Sequence, residues 1–134
     1  MTVDCLCGAV NVGIPQKPDF IMACNCDMCR KSGARWGYFD PSSITVSGNT
    51  ESYRRADKAE PGSEKHFCPT CGVTTHFRLT ESSIAKHGDT MMGVNLALAT
   101  EGELAGVELR YPDGKSWSGD GEFGFVRESR ILGA

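Results

Sequence analysis

The stretch Phe67-Cys68-Pro69-Thr70-Cys71-Gly72 decides how this chain is read. Two cysteines three positions apart, after an aromatic residue and before a glycine, form a turn that presents both sulfurs to one metal ion. Gly72 supplies the backbone freedom that such a turn requires. Working outward from it, five further cysteines stand in two tight clusters, Cys5-Leu6-Cys7 and Cys24-Asn25-Cys26-Asp27-Met28-Cys29. Cysteines that serve only as small buried hydrophobes have no reason to sit two or three residues apart. Seven thiols are four plus three. Four thiolates close a structural zinc site, and three leave a coordination position open for water or substrate. The arithmetic predicts one metal for the fold and one for chemistry.

A chain of 134 residues is expected to form one domain, residues 1–134. A domain this small and loop-rich gains stability from a metal staple. With 14 Lys and Arg against 17 Asp and Glu, the net charge of −3 leaves no electrostatic footprint for nucleic acid. The longest apolar stretch, Met91 to Ala99, is interrupted by Gly93 and Asn95 and is too short to cross a bilayer. The N-terminus carries neither a basic region nor an apolar signal core. The expectation is a soluble, cytoplasmic protein without a nucleic-acid or membrane partner. In a reducing cytosol, close cysteine spacings point to metal or redox chemistry rather than to disulfides.

Most of the chain reads as short strands. Residues 1–14 read as a β-hairpin turning at Gly8, and Phe20 to Cys26 as a strand entering the second cluster. Asp27 to Gly33 looks like one short helical turn stopped by the glycine. Trp36–Asp40, Ile44–Gly48, Ser52–Arg55, Val73–Leu79 and Thr90–Ala99 read as further strands. Ala56 to Glu64 reads as an exposed loop, and residues 100–122 as loop or extended arm. The segment from Phe123 onward fits a short helix or a strand equally well.

Residues i and i+2 of a strand face the same side, so Cys5 and Cys7 can present both sulfurs together. Joined to Cys68 and Cys71, they would fasten the N-terminal hairpin to the middle of the chain through one closed zinc site. The rival pairing, Cys26 and Cys29 with Cys68 and Cys71, is a zinc ribbon that leaves three cysteines without a role.

Cys24, Cys26 and Cys29 supply three sulfurs within six residues, the ligand count of a catalytic zinc. An all-sulfur site makes zinc a weak Lewis acid, better suited to activating an incoming thiolate than to hydrolysing an amide. The substrate class this predicts is a small thiol or a thiol adduct. Arg30 and Lys31 follow directly; they either favour the thiolate and pair with carboxylates of an acidic thiol such as glutathione, or are solvated surface charges. His66 is a candidate outer partner of the closed site, while His76 is expected on a strand and His87 in a polar turn. Trp36, Tyr38 and Phe39 are expected in the core or along a ligand pocket.

The three clusters, with Gly8-Ala9-Val10 after the first and Arg30-Lys31-Ser32-Gly33 after the second, resemble the glutathione-dependent formaldehyde-activating enzyme family, which includes centromere protein V. The resemblance covers residues 5 to about 80. It implies an all-β, zinc-bound fold, often called a β-tent and shared with Rab-GTPase chaperones. It implies a structural zinc on Cys5, Cys7, Cys68 and Cys71 and a more labile one on Cys24, Cys26 and Cys29. The activity it implies is that of a carbon–sulfur lyase forming or cleaving S-hydroxymethylglutathione. Asn95 departs from the pattern, standing where an acid is expected. A non-catalytic zinc-binding interaction module and a cysteine redox or zinc sensor are the competing classes. A homo-oligomer is compatible with the sequence.

Overall fold

The computed structural model describes residues 1–133. Short apolar runs, broken by glycines and by cysteine turns, give strands of three to seven residues: β1 (Thr2–Asp4), β2 (Asn11–Gly13), β3 (Phe20–Met22), β4 (Trp36–Phe39), β5 (Thr45–Ser47), β6 (Glu51–Tyr53), β7 (Ser63–Phe67), β8 (Thr74–Leu79), β9 (Met92–Asn95), β10 (Glu108–Pro112) and β11 (Phe125–Ile131). Two short α-helices interrupt them, α1 (Asp27–Ser32) and α2 (Glu81–His87), with single 3₁₀ turns at Pro41–Ser43 and Leu96–Leu98. The fold is all-β, as the sequence predicts. Among the described residues no helix is long and apolar enough to cross a membrane.

β1, β2 and β5 form a small antiparallel sheet in which Val3, Val12 and Val46 lie in register. The side-chain period of two puts only the middle residue of β1 and of β2 inward, so Val3 and Val12 are buried between exposed or half-buried neighbours. The other eight strands form one sheet in the order β11-β10-β3-β4-β9-β8-β7-β6. The two sheets share a core of Val3, Val12, Ile21, Val94, Leu96 and Leu109, closed by Leu104 and Leu132.

One pairing governs the architecture. β10 runs parallel to β3, with Leu109 opposite Ile21. Parallel neighbours need a long crossover, and here that connection is most of the molecule. Parallel strands also end at the same edge of a sheet. The segment leaving β3, which carries Cys24 to Cys29, therefore emerges beside the segment leaving β10.

The sequence expectations need correction at the edges. The strand entering the second cluster ends at Met22, because Asp27 to Ser32 already turn as α1. β7 begins at Ser63, inside the stretch expected to be loop, because it pairs with β6 and β8 on both sides. The strand expected over Thr90–Ala99 is cut to Met92–Asn95, where the Asn95 side chain accepts from the Ala97 amide and starts a 3₁₀ turn. α2, capped by Thr80, takes the place of the polar turn around His87. Residues 108–112, expected as loop or arm, form β10, inserted between β3 and β11 with Leu109 fully buried. The ambiguous tail is the strand β11.

Candidate functional site

Two backbone knuckles of similar design build the first cluster. In one, the Cys5 amide bonds the Val10 carbonyl at 3.0 Å, and Gly8 follows Cys7 with φ +80°. In the other, the Cys68 amide bonds the Val73 carbonyl at 3.0 Å, and Gly72 follows Cys71 with φ +77°. A side chain is strained at such angles, which is why a glycine closes each turn. The knuckles face each other, with Cys5 and Cys7 sulfurs 3.7 Å apart and Cys7 and Cys68 sulfurs 3.6 Å apart. All four sulfurs lie within 4.8 Å of one another. Zinc–sulfur bonds of about 2.3 Å in a tetrahedron call for sulfurs roughly 3.8 Å apart, so the donor set fits zinc.

Electrostatics in this cluster follow from backbone amides and mutual repulsion. The Val73 amide, followed by the Cys7 amide and the neighbouring thiols, draws Cys71 down to about 6. At Cys7 the Ala9 amide pulls down, but burial and the thiols of Cys68, Cys5 and Cys71 outweigh it and push Cys7 up to about 11. Cys5 is lowered, because the Val10 amide and the Cys7 and Cys68 thiols overcome the cost of burial.

Cys24, Cys26 and Cys29 form the second cluster, their sulfurs also within 4.8 Å of one another. α1 places them. Cys26 is its N-cap, and its sulfur accepts from the Cys29 amide at 3.4 Å. The Cys24 sulfur accepts from the Cys26 amide at 3.4 Å. Gly33, at φ +71°, ends the helix by donating to the Cys29 carbonyl. Contact with the Cys24 and Cys29 thiols holds Cys26 far below the ordinary thiol range, and the Arg55 guanidinium acts in the same direction. Cys24 is raised by Cys26, and Cys29 is raised by Cys24, Cys26 and burial.

An aromatic wall backs this cluster. Trp36 is buried, meets Phe77 edge-on at 4.9 Å, and donates its indole N–H to the Cys29 sulfur at 3.3 Å. The Lys65 ammonium lies 4.4 Å from the Phe77 ring centre and 5.3 Å from that of Trp36. Burial lowers the Lys65 pKa, and the charges of Cys29, Cys26 and Cys24 partly restore it. Tyr38 packs against Phe77; burial first, then the thiolates, push its phenol up, so it keeps its proton. Tyr38 and Phe39 also line a cavity of about 250 Å³ with the loop Pro15–Phe20.

Several sequence candidates lie elsewhere. Arg30 pairs with Asp27 at 3.2 Å on the exposed side of α1, and Lys31 is exposed. His66 stacks on His76 at 4.5 Å and meets the Thr50 hydroxyl at 3.0 Å, and it is not among the groups that gather at the closed cluster. Asn95 is structural: its amide donates to the Thr74 carbonyl at 2.8 Å and its oxygen accepts from the Arg35 amide at 3.1 Å. A carboxylate could not make the first of these bonds. Sequence reasoning missed Lys65, Arg55, Lys58 and the segment after β10. Arg55, Lys58, Gly114 and Lys115 line a polar cavity of about 150 Å³ with Cys26 in its wall.

Comparison with known proteins gives two findings. A family model described as glutathione-dependent formaldehyde-activating enzyme matches residues 1–109. The crystal structure of a Rhodobacter sphaeroides protein is similar at 28% identity and a TM-score of 0.56, over 73% of this chain and 86% of that one. No curated protein matches.

Proposed function

The chain belongs to the glutathione-dependent formaldehyde-activating enzyme family, and from that premise we propose that it is a zinc-dependent carbon–sulfur lyase joining a small thiol such as glutathione to formaldehyde. The observation that carries this reading is the convergence of the Cys24, Cys26 and Cys29 sulfurs within 4.8 Å, with Cys26 in the wall of a polar cavity. Zinc held by these three thiolates would supply a soft centre with one position free to favour an incoming thiol as its thiolate. The four thiols of Cys5, Cys7, Cys68 and Cys71 would hold a second ion as scaffold, fastening one domain together.

The chain's own residues divide the remaining work. Trp36 orients Cys29 through its N–H, and Arg55 stabilises charge on Cys26. The reaction forms one sulfur–carbon bond as the carbonyl π bond opens. The proton lost by the thiol is balanced by one gained at oxygen, and no oxidant or reductant enters.

Exchange NMR with ¹³C-formaldehyde and glutathione tests the reading against the spontaneous reaction. Acceleration by the zinc-loaded chain, lost in Cys29→Ser while that variant keeps its fold, is the expected result. Exchange no faster than the uncatalysed rate would sink it.

A further inference from the structure

The segment after β10 lies outside the matched residues 1–109, yet it packs directly on the three-thiol cluster. Gly114 approaches so closely that a Cβ there would overlap the Cys24 sulfur. Its φ is not positive, so the glycine is needed for space rather than for backbone angle. Asn25, inside the cluster, clamps the segment: its amide donates to the Asp113 carboxylate at 2.8 Å, and its oxygen accepts from the Lys115 backbone amide at 2.9 Å. The parallel pairing of β3 with β10 brings these two segments to the same edge.

The cavity beside Cys26 is lined by Gly114 and Lys115 from the segment after β10 and by Arg55 and Lys58 from the connection between β6 and β7. Two carboxylates also line it, and both are engaged. Asp57 takes two 2.7 Å bonds from Arg55, and Asp27 pairs with Arg30. Among the described residues, neither the Lys58 nor the Lys115 ammonium has an ion-pair partner. Two unpaired cations thus flank a cavity whose wall is a cysteine of the thiol-activating cluster.

We infer that this cavity reads an anionic carboxylate on the substrate, so that the protein selects thiols bearing a carboxylate over neutral thiols, with Lys58 and Lys115 as the specificity-determining residues. The inference rests on the proposed thiol chemistry of the cluster and adds which thiols it accepts. A carboxylate on a thiol seated at the cluster would enter a cavity lined by both lysines, where charge-assisted hydrogen bonds reward it.

Calorimetric titration of the zinc-loaded chain with glutathione and with glutathione diethyl ester, which has the same thiol but no free carboxylate, tests this directly. The expected preference for glutathione is roughly tenfold or more, and it shrinks as salt is raised. Lys58→Gln/Lys115→Gln, which removes both charges without reversing them, should bring the ratio close to one, with zinc content and melting temperature unchanged. Equal binding of the two ligands by the wild-type chain, or a ratio unmoved by the double variant, overturns the inference and leaves the thiol chemistry standing. Binding of neither ligand sinks the thiol reading, and the cleft assignment falls with it.

Discussion

Lys65 shows how one residue can tune a site it does not join. Its ammonium lies over the Phe77 and Trp36 rings that back the three thiols. Three thiolates around one ion repel each other, and a nearby cation offsets part of that repulsion. Lys65→Met keeps the stem and removes the charge. Zinc affinity at Cys24, Cys26 and Cys29 should fall about tenfold, read by competition with a chelator, while melting temperature changes little. His76 makes a second prediction. Burial, followed by the charges of His66 and Arg78, lowers its pKa to about 3 from 6.5. Between these values the unfolded chain binds a proton that the folded chain refuses. This contribution is whole above pH 6.5 and is lost progressively as pH falls toward 3, at about 1.4 kcal/mol per pH unit. Urea midpoints of wild type and His76→Gln, compared across that range, should show a slope shallower by about one proton in the variant. An identical slope would place the acid sensitivity elsewhere. The cysteine clusters were legible because groups able to hold a metal come in fixed local spacings. Lys65, Lys58 and Gly114 were not, because each acts on residues far away in sequence.

At the scale of elements, α1 is only six residues long and depends on its ends. Gly33→Ala forces a side chain into the left-handed region and should cost about 1 kcal/mol or somewhat more, read as a lowered melting temperature. It should also weaken metal at the three thiols, because Gly33 anchors the Cys29 carbonyl. β11 presents every one of its residues to solvent, and its attachment rests on the residue just beyond it. Leu132 is 1% exposed and sits in the main core, so Leu132→Ala should cost about 2–5 kcal/mol, far more than truncating any side chain of β11 itself. α2 was within reach of the sequence: Thr80 before Glu81, Lys86 and His87 in the last turn and Gly88 after them are ordinary start and stop signals. β10 was not. Glu108-Leu109-Arg110-Tyr111-Pro112 carries only a weak strand pattern beside several glycines, and its place is fixed by tertiary pairing with β3.

For the whole molecule, the proposed function divides stability from reactivity between the two thiol clusters. The four-thiol cluster bridges residues more than sixty positions apart, whereas the three-thiol cluster spans six residues of one local segment. A chelator should therefore strip zinc in two steps. The first should leave far-UV circular dichroism unchanged, and the second should coincide with unfolding, because a cross-chain staple contributes its binding energy to the fold. A single step in which both ions leave as the chain unfolds would refute the division. The pairing of β3 with β10 also has a consequence for synthesis. Cys24 to Cys29 leave the ribosome roughly eighty residues before their covering strand and its glycine. Until that late segment threads into place, the nascent chain displays three bare thiols to every ion and oxidant in its surroundings. Only once that later segment has been made does the site stop being a generic sulfur trap and gain the wall that Gly114 and Lys115 give it.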